Sequence, residues 1–184
     1  MEKIKFSEEE MKLCEKFSEE VDTTLYARRN QFDNEKRKKD AKIGKLGEFA
    51  VVHFLKKKVK DISPPDCEIY SAKQKSWDYD LKSSKFNIHV KTQDITQAYK
   101  YGESWIFQNE DKHIFREYDK EKDYVAFVIV NLITKEAQIK GICKLQLLHD
   151  NNLFALPKLI HLQGNKRAVY MSDLENHKDL LFQL

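Results

Sequence analysis

The N-terminal third of the chain repeats apolar residues at the spacing of an α-helix. Ser7 followed by Glu10 has the form of a capping box, and apolar residues then recur with helical period to about Phe32. Asp33 or Asn34 can cap a second helix, which becomes apolar in its second half. This pattern predicts two amphipathic helices before the remaining elements.

The periodicity changes from helical to alternating after the Pro64-Pro65 pair. The run Tyr124–Val130 is apolar on both faces, which is typical of a central strand covered by helices. A tight turn is predicted at Ser83-Ser84, and a last helix begins at Ser172 or Asp173 and runs toward Leu181. The predicted strands are Cys67–Ser71, Ser76–Lys82, Lys85–Thr92, Ser104–Gln108, Tyr124–Ile133 and Ala137–Cys143.

The order of these elements predicts the fold class. Two helices, a run of strands and a last helix indicate an α/β protein of the α+β kind, with one central sheet flanked by helices. The length of 184 residues fits a single domain spanning residues 1–184.

Composition limits the setting in which the chain works. The apolar runs are too short to cross a bilayer, and the charged start, Met1–Lys5, lacks the apolar segment of a secretion signal. Cys14, Cys67 and Cys143 lie far apart without zinc-site spacing, so we expect buried thiols. These features predict a cytoplasmic protein that does not contact membranes. The formal net charge of +3 permits nucleic-acid binding without indicating it.

Two adjacent predicted strands carry polar residues on one face. Alternation puts Ile88 and Val90 on one side of the third strand, because successive side chains point to opposite faces. Asp78 and Asp80 share a face of the preceding strand, and the short turn lays the two strands side by side. The polar face of the third strand carries Asn87, His89, Lys91 and Gln93. Two acids are therefore predicted to lie across from an imidazole and an ammonium group.

Glu48 occupies an unusual position in the second helix. Its neighbours three and four residues away are mostly small or apolar, namely Gly44, Lys45, Val51 and Val52. A glutamate is seldom placed on such a stripe unless it is paired or binds a metal ion. Gly44 and Gly47 in the same helix predict close packing against a sheet.

Three segments together resemble the PD-(D/E)xK nuclease superfamily. They are KIGKLGEF at Lys42–Phe49, WDYDL at Trp77–Leu81 and IHVKT at Ile88–Thr92. The resemblance is strong from Lys42 to Thr92, and the core region of the family would extend over about residues 42–143. It implies a restriction-endonuclease-like fold, which is a mixed central sheet flanked by helices.

The resemblance also implies roles for individual residues. Asp80 is favoured as the strand acid, with Asp78 on the same face as the alternative. His89 stands at the (D/E) position, Lys91 is the lysine and Glu48 is the helix acid. Asp80 and Glu48 would hold Mg²⁺, or alternatively Mn²⁺, together with the backbone carbonyl of Val90. Because the family usually has Glu, Asp or Gln at the position of His89, this histidine is a ligand, a base, a phosphate contact or a structural residue.

The function implied is that of a divalent-metal-dependent DNA endonuclease. A small type II restriction endonuclease is the first expectation. A Holliday-junction resolvase, a phage-type DNA-processing nuclease and an inactive nuclease-fold DNA-binding module are the alternatives. A homodimer is expected because cutting both strands favours twofold symmetry. The residues expected to contact DNA are Lys45, Asp78, Thr92 and Gln93.

Overall fold

The computed structural model describes residues 3–21, 33–69 and 79–182. Helix α1 spans Glu8–Glu20 and helix α2 spans Asn34–Leu55. Ser7 and Glu10 form both hydrogen bonds of the capping box, and Asp33 caps α2 through the amide of Lys36. Both predicted helices are therefore confirmed, although the predicted extension of the first helix from residue 22 to residue 32 lies outside the described residues.

Five strands form a mixed main sheet. Their order across the sheet is β1-β6-β5-β3-β2, in which β3 and β5 are parallel and the other neighbours are antiparallel. The strands are β1 Lys3–Lys5, β2 Leu81–Lys82, β3 Asn87–Asp94, β5 Asp123–Asn131 and β6 Glu136–Lys144. Strand β5 is buried from Asp123 to Val130 between β3 and β6, which confirms the predicted central strand.

The sheet differs from the prediction at both edges. Strand β1 was not predicted, because three residues with one buried side chain, Ile4, are too short to show alternation. At the other edge only Leu81 and Lys82 pair with β3, so the predicted strand Ser76–Lys82 is two residues long within the described region. The predicted strand at Cys67–Ser71 is wrong for residues 67–69, which have no regular structure.

A second, two-stranded sheet lies beside the first. Strand β4, Ser104–Gln108, has the predicted bounds, but it pairs antiparallel with β7, Lys166–Tyr170, instead of joining the main sheet. Strand β7 was not among the predicted strands, and the predicted last helix is a short α-helix continued by a 3₁₀ turn. The short helices are α3 Ile95–Tyr101, α4 Lys112–Phe115, α5 Leu145–Asp150 and α6 Met171–Leu174, with 3₁₀ turns at Ile160–Leu162 and Glu175–Leu180.

The two faces of the main sheet bury separate apolar cores. Helices α1 and α2 cover one face, where Ile88, Ala126 and Val128 pack against them. The chain segment between β3 and β5 covers the other face, where Trp105 and Phe107 pack on alternate residues of β5. We call these the α2 face and the β4 face. Since successive residues of β3 point to opposite faces, each core takes every second side chain.

Two smaller expectations can be compared with the structure. Cys14 and Cys143 are buried free thiols as predicted, whereas Cys67 is only half-buried. Within the described residues, no helix combines the length and apolar character needed to span a membrane.

Candidate functional site

Glu48 is buried on α2 and held by a lysine one turn earlier. Glu48 is 6% exposed, and both of its carboxylate oxygens accept hydrogen bonds from Nζ of Lys45 at 2.9 Å. The Lys45 ammonium also lies 5.0 Å from the ring centroid of Phe17 on α1. Burying a charged pair is favourable only when the two groups satisfy each other, so the geometry makes Lys45 the direct partner of Glu48.

Gly47 lets α2 lie directly against β3. A Cβ atom at this position would overlap the Oγ1 atom of Thr92. Only glycine permits this approach without displacing the strand, which explains one of the two helix glycines. Gly44 has open space at the same place and has no such packing reason. Glu48 therefore follows the residue at which helix and strand are closest.

Asp80 immediately precedes β2, at the point where the edge of β3 is no longer paired. Its exposed carboxylate accepts a hydrogen bond from the amide of Val90 at 2.7 Å, and its own amide donates to the carbonyl of Ile88 at 3.1 Å. In a strand the amide and carbonyl of one residue point to the same edge, so the Val90 carbonyl also points toward this edge. Among the described residues no strand covers β3 beyond Ile88 on this side.

The charges of Asp80, Glu48 and Lys45 influence one another. Burial, followed by the repulsion of the Asp80 carboxylate, raises the pKa of Glu48 to about 8, although Lys45 opposes the shift. Burial disfavours the charged ammonium of Lys45, but the carboxylates of Glu48 and Asp80 outweigh it and raise the pKa of Lys45. A buried carboxylate whose pKa is raised in part by a neighbouring carboxylate marks a place where a cation is stabilised.

His89 and Lys91 point to the β4 face, away from α2. His89 is 3% exposed, and its ring centroid lies 5.0 Å from that of Tyr79. The Lys91 ammonium lies 5.1 Å from the ring centroid of Phe107, which belongs to the core of the β4 face. Asp80 thus binds Val90 and acts electrostatically on Glu48, whereas the side chains of His89 and Lys91 lie on the opposite side of the strand.

The alternation predicted for the strand before the turn breaks at Asp80. Leu81 packs in the core of the α2 face, whereas Tyr79 contacts His89 on the β4 face, so these two residues do not share a face as predicted. The backbone bends at Asp80, which leaves its carboxylate at the strand edge. The predicted partner acid, Asp78, lies outside the described residues.

A buried acid that sequence analysis missed holds the segment before Asp80. Asp123, at the start of β5, is fully buried and accepts hydrogen bonds from the Tyr79 hydroxyl, the Asn87 side-chain amide and the Asp119 backbone amide. Its position at the end of a polar loop gave no sequence signal. Because buried carboxylates need such partners, this network fixes Tyr79 and thereby the neighbouring Asp80.

A cleft of about 1090 Å³ opens along the free edge of β3. One wall is the first half of α2, the floor is Val90–Asp94, and the other wall is the β4–β7 sheet with the loop after Pro157. Val90 connects the cleft to Asp80, because the amide of Val90 binds the Asp80 carboxylate and Val90 forms part of the cleft floor. Neither Asp80 nor Glu48 lines the cleft, so Val90 is the link between the cleft and the acids.

Three of the predicted DNA contacts have other contacts in the structure. Lys45 binds Glu48, and Thr92 packs on Gly47. The side-chain amide of Gln93 donates to the Gly102 carbonyl, and its side-chain oxygen accepts from the amide of Ser104, which joins β3 to β4. Thr92 and Gln93 still line the cleft floor, but these contacts position the strand.

The ligands offered to a metal ion are few but of suitable chemistry. The described residues contain no cluster of three or more His, Cys, Asp or Glu side chains with metal-binding geometry. Mg²⁺ is commonly held by one or two carboxylates with water completing the shell, and Asp80, Glu48 and the Val90 carbonyl meet that need. No family model matches the chain, and neither the curated proteins nor the solved structures include a match.

Proposed function

We propose that the chain is a divalent-metal-dependent nuclease that hydrolyses phosphodiester bonds in DNA. The observation that carries the proposal is the position of the Asp80 carboxylate at an open strand edge, where it binds the amide of Val90, a residue of the cleft floor, and raises the pKa of buried Glu48. The sequence segments that resemble PD-(D/E)xK nucleases supply these same two acids. A restriction-endonuclease-like fold, a type II restriction activity and a homodimer remain parts of the proposal.

The residues of the chain would share the work as follows. Asp80 and Glu48 would hold Mg²⁺ or Mn²⁺, with the Val90 carbonyl as a main-chain ligand. When bound, the ion would supply charge neutralisation at the phosphate and a more acidic water. Lys45 keeps Glu48 in place. Lys91, which lines the cleft, is placed to contact a phosphate oxygen of a bound strand.

A DNA-binding module without catalysis is the second candidate, and one observation favours it. His89 takes the place of the usual acid and is buried beneath Tyr79, while Lys91 lies over Phe107. Both side chains point away from Glu48, so the group of four residues expected from the resemblance does not assemble on one face. This candidate predicts DNA binding that does not lead to cleavage.

A cleavage assay tests the proposal. Supercoiled double-stranded and circular single-stranded DNA are incubated with the protein in Mg²⁺, Mn²⁺ or a chelator. Asp80→Asn and Glu48→Gln should each slow cleavage by at least about 100-fold, since both would remove ligand charge. The exposed acid Glu19 on α1 provides the matched control, and Glu19→Gln should cleave at the wild-type rate.

Two results would contradict the proposal. Cleavage that persists in chelator, or that Asp80→Asn leaves unchanged, would show that the acids do not carry the activity. Binding without cleavage in both metals would favour the module. Circular dichroism of each variant shows whether the buried substitution at Glu48 keeps the fold.

A further inference from the structure

We infer that the cleft along the free edge of β3 binds one extended strand of DNA instead of an intact duplex. The inference rests on the proposed function, because it names the form of the substrate at that site. Within that proposal it favours a phage-type DNA-processing nuclease over a type II restriction endonuclease, which cuts duplex DNA. Shape is the first argument. The cleft of about 1090 Å³ has a floor, Val90–Asp94, between two walls, α2 on one side and the β4–β7 sheet with the loop after Pro157 on the other. One flexible strand can follow such a path and contact the floor and both walls at once.

Charge is the second argument. Lys36 on α2, Lys91 on β3 and Lys158 in the loop all line the cleft. Among residues 3–21, 33–69 and 79–182, none of these three has a carboxylate partner. Lysines without counter-charges on both walls and the floor suit a chain of phosphates that passes between them.

Four acids line the cleft, namely Asp33, Glu35, Asp40 and Asp94. Asp94 forms an ion pair with Lys39 at 2.5 Å and caps α3 through the amide of Thr96. Glu35 lies 3.7 Å from Lys38, and Asp33 caps α2. Lysines of α2 therefore partly neutralise Asp94 and Glu35, whereas the three lysines named above remain to act on a ligand.

The wall formed by β4 and β7 has the surface that bases require. Trp105 and Phe107 point into the core, so Ile106 on the alternate side faces the cleft and is 36% exposed. Tyr101 at the end of α3 adds a half-buried ring to the lining. Single-strand sites combine a positive groove with aromatic and apolar platforms for unpaired bases, and this wall supplies those platforms.

Tyr170 positions the lysine on the far wall. Its hydroxyl accepts a hydrogen bond from the amide of Lys158 at 2.8 Å, and the Lys158 ammonium lies 4.9 Å from the ring centroid. The same hydroxyl donates to the carbonyl of Leu156. The charge at this point of the cleft is thus fixed by the β7 strand and does not depend on a freely rotating side chain.

Fluorescence anisotropy in chelator tests the inference without cleavage. The probes are a labelled single strand of about 12 nucleotides and the duplex of the same sequence, at about 50 mM salt. Wild type should bind the single strand more tightly than the duplex. Lys36→Ala with Lys158→Ala should weaken single-strand binding about 10-fold and reduce the salt slope by about 1.4, because two phosphate contacts are lost.

Matched variants show whether lysines in the cleft matter more for DNA binding than lysines elsewhere on the surface. Lys120→Ala with Lys178→Ala removes two exposed lysines outside the cleft and should leave the affinity within about twofold of wild type. Tyr101→Ala should weaken binding about 10-fold through loss of stacking, and Tyr101→Phe should restore it. Tighter binding of the duplex, or equal losses for the two lysine pairs, would overturn the inference.

The outcomes distinguish this inference from the proposed function. Metal-dependent cleavage that requires Asp80, together with binding that ignores the cleft substitutions, would overturn the strand assignment alone. Cleft-dependent binding of the single strand without cleavage would support the inference while the nuclease proposal fails.

Discussion

The two faces of the main sheet hold charged groups in different ways. On the α2 face a buried carboxylate, Glu48, is fixed by a lysine on its own helix and lies near Asp80 at the sheet edge. On the β4 face, His89 and Lys91 rest against the rings of Tyr79 and Phe107. The difference teaches that β3 separates the polar residues of the motif onto its two faces, with Asp80 at the strand edge.

Among the single substitutions, the largest loss of folding stability should come from removing the Lys45 ammonium group on the α2 face. Lys45→Met leaves Glu48 buried without its partner and should destabilise the protein by about 3 kcal/mol at about pH 8. Lys91→Met on the β4 face is the matched control, and it should cost below about 1 kcal/mol. Urea unfolding followed by circular dichroism measures both. Equal losses would remove the distinction between the faces.

A second test concerns the contact between α2 and β3. Gly47→Ala should destabilise the protein by about 2 kcal/mol, because the new methyl group meets the Thr92 hydroxyl. Gly44→Ala, on the same helix with open space, should instead stabilise it by up to about 1 kcal/mol. Thermal unfolding compares the two. A gain in both variants would show that helix and strand are less closely packed than described.

The pH dependence of stability should also come from the α2 face. The pKa of Glu48 is raised from 4.5 to about 8, so between these values the folded protein binds more protons than the unfolded chain. Stability should therefore fall as the pH rises through this window, by at most about 1.4 kcal/mol per pH unit from this group, and level off above it.

Glu48→Gln removes this titration and should give a shallower profile in chelator. Added Mg²⁺ should also flatten the wild-type profile if the ion replaces the proton at Glu48. Unfolding free energies measured across the window check both statements. A Glu48→Gln profile as steep as that of wild type would assign the slope to other groups.

The smallest effect is expected at the network that holds the segment before Asp80. Tyr79→Phe removes one hydrogen bond to buried Asp123 and should cost about 1 kcal/mol. Tyr99→Phe, at a tyrosine that is 84% exposed, should have no measurable effect. Chemical unfolding at constant pH compares the two variants. A loss at Tyr99 as large as that at Tyr79 would contradict the role of the network.

Sequence reasoning succeeded where a local rule fixes the structure. The capping box at Ser7, the cap at Asp33 and the apolar run of β5 are set by neighbouring residues, so their signals were sufficient. The burial of Glu48 also followed from its apolar neighbours. Strand β1 was missed because three residues are too short to show a pattern, and β7 was missed because Lys166–Tyr170 does not alternate between apolar and polar residues. Both strands depend on a distant partner for their stability.

The relative placement of the site residues could not be predicted in the same way. Alternation was extended through Asp80, but the strand bends there, and Tyr79 therefore turns to the β4 face. Lys45 lies three residues before Glu48 on the same helix, so helical spacing already made the two neighbours. What the local period does not encode is the tertiary packing that bends the chain at Asp80 and sends Tyr79 to the β4 face.

Because β2 is only two residues long, substitutions and insertions near Asp80 should differ in how well the protein tolerates them. The carbonyl of Val90 is available because pairing stops at Ile88, so this oxygen is supplied by backbone position and not by side-chain identity. Replacement of Val90 by another aliphatic residue should be neutral in a deep mutational scan. A one-residue insertion or deletion in the turn at 83–86 should be deleterious there, because it changes which main-chain atoms lie beside Asp80.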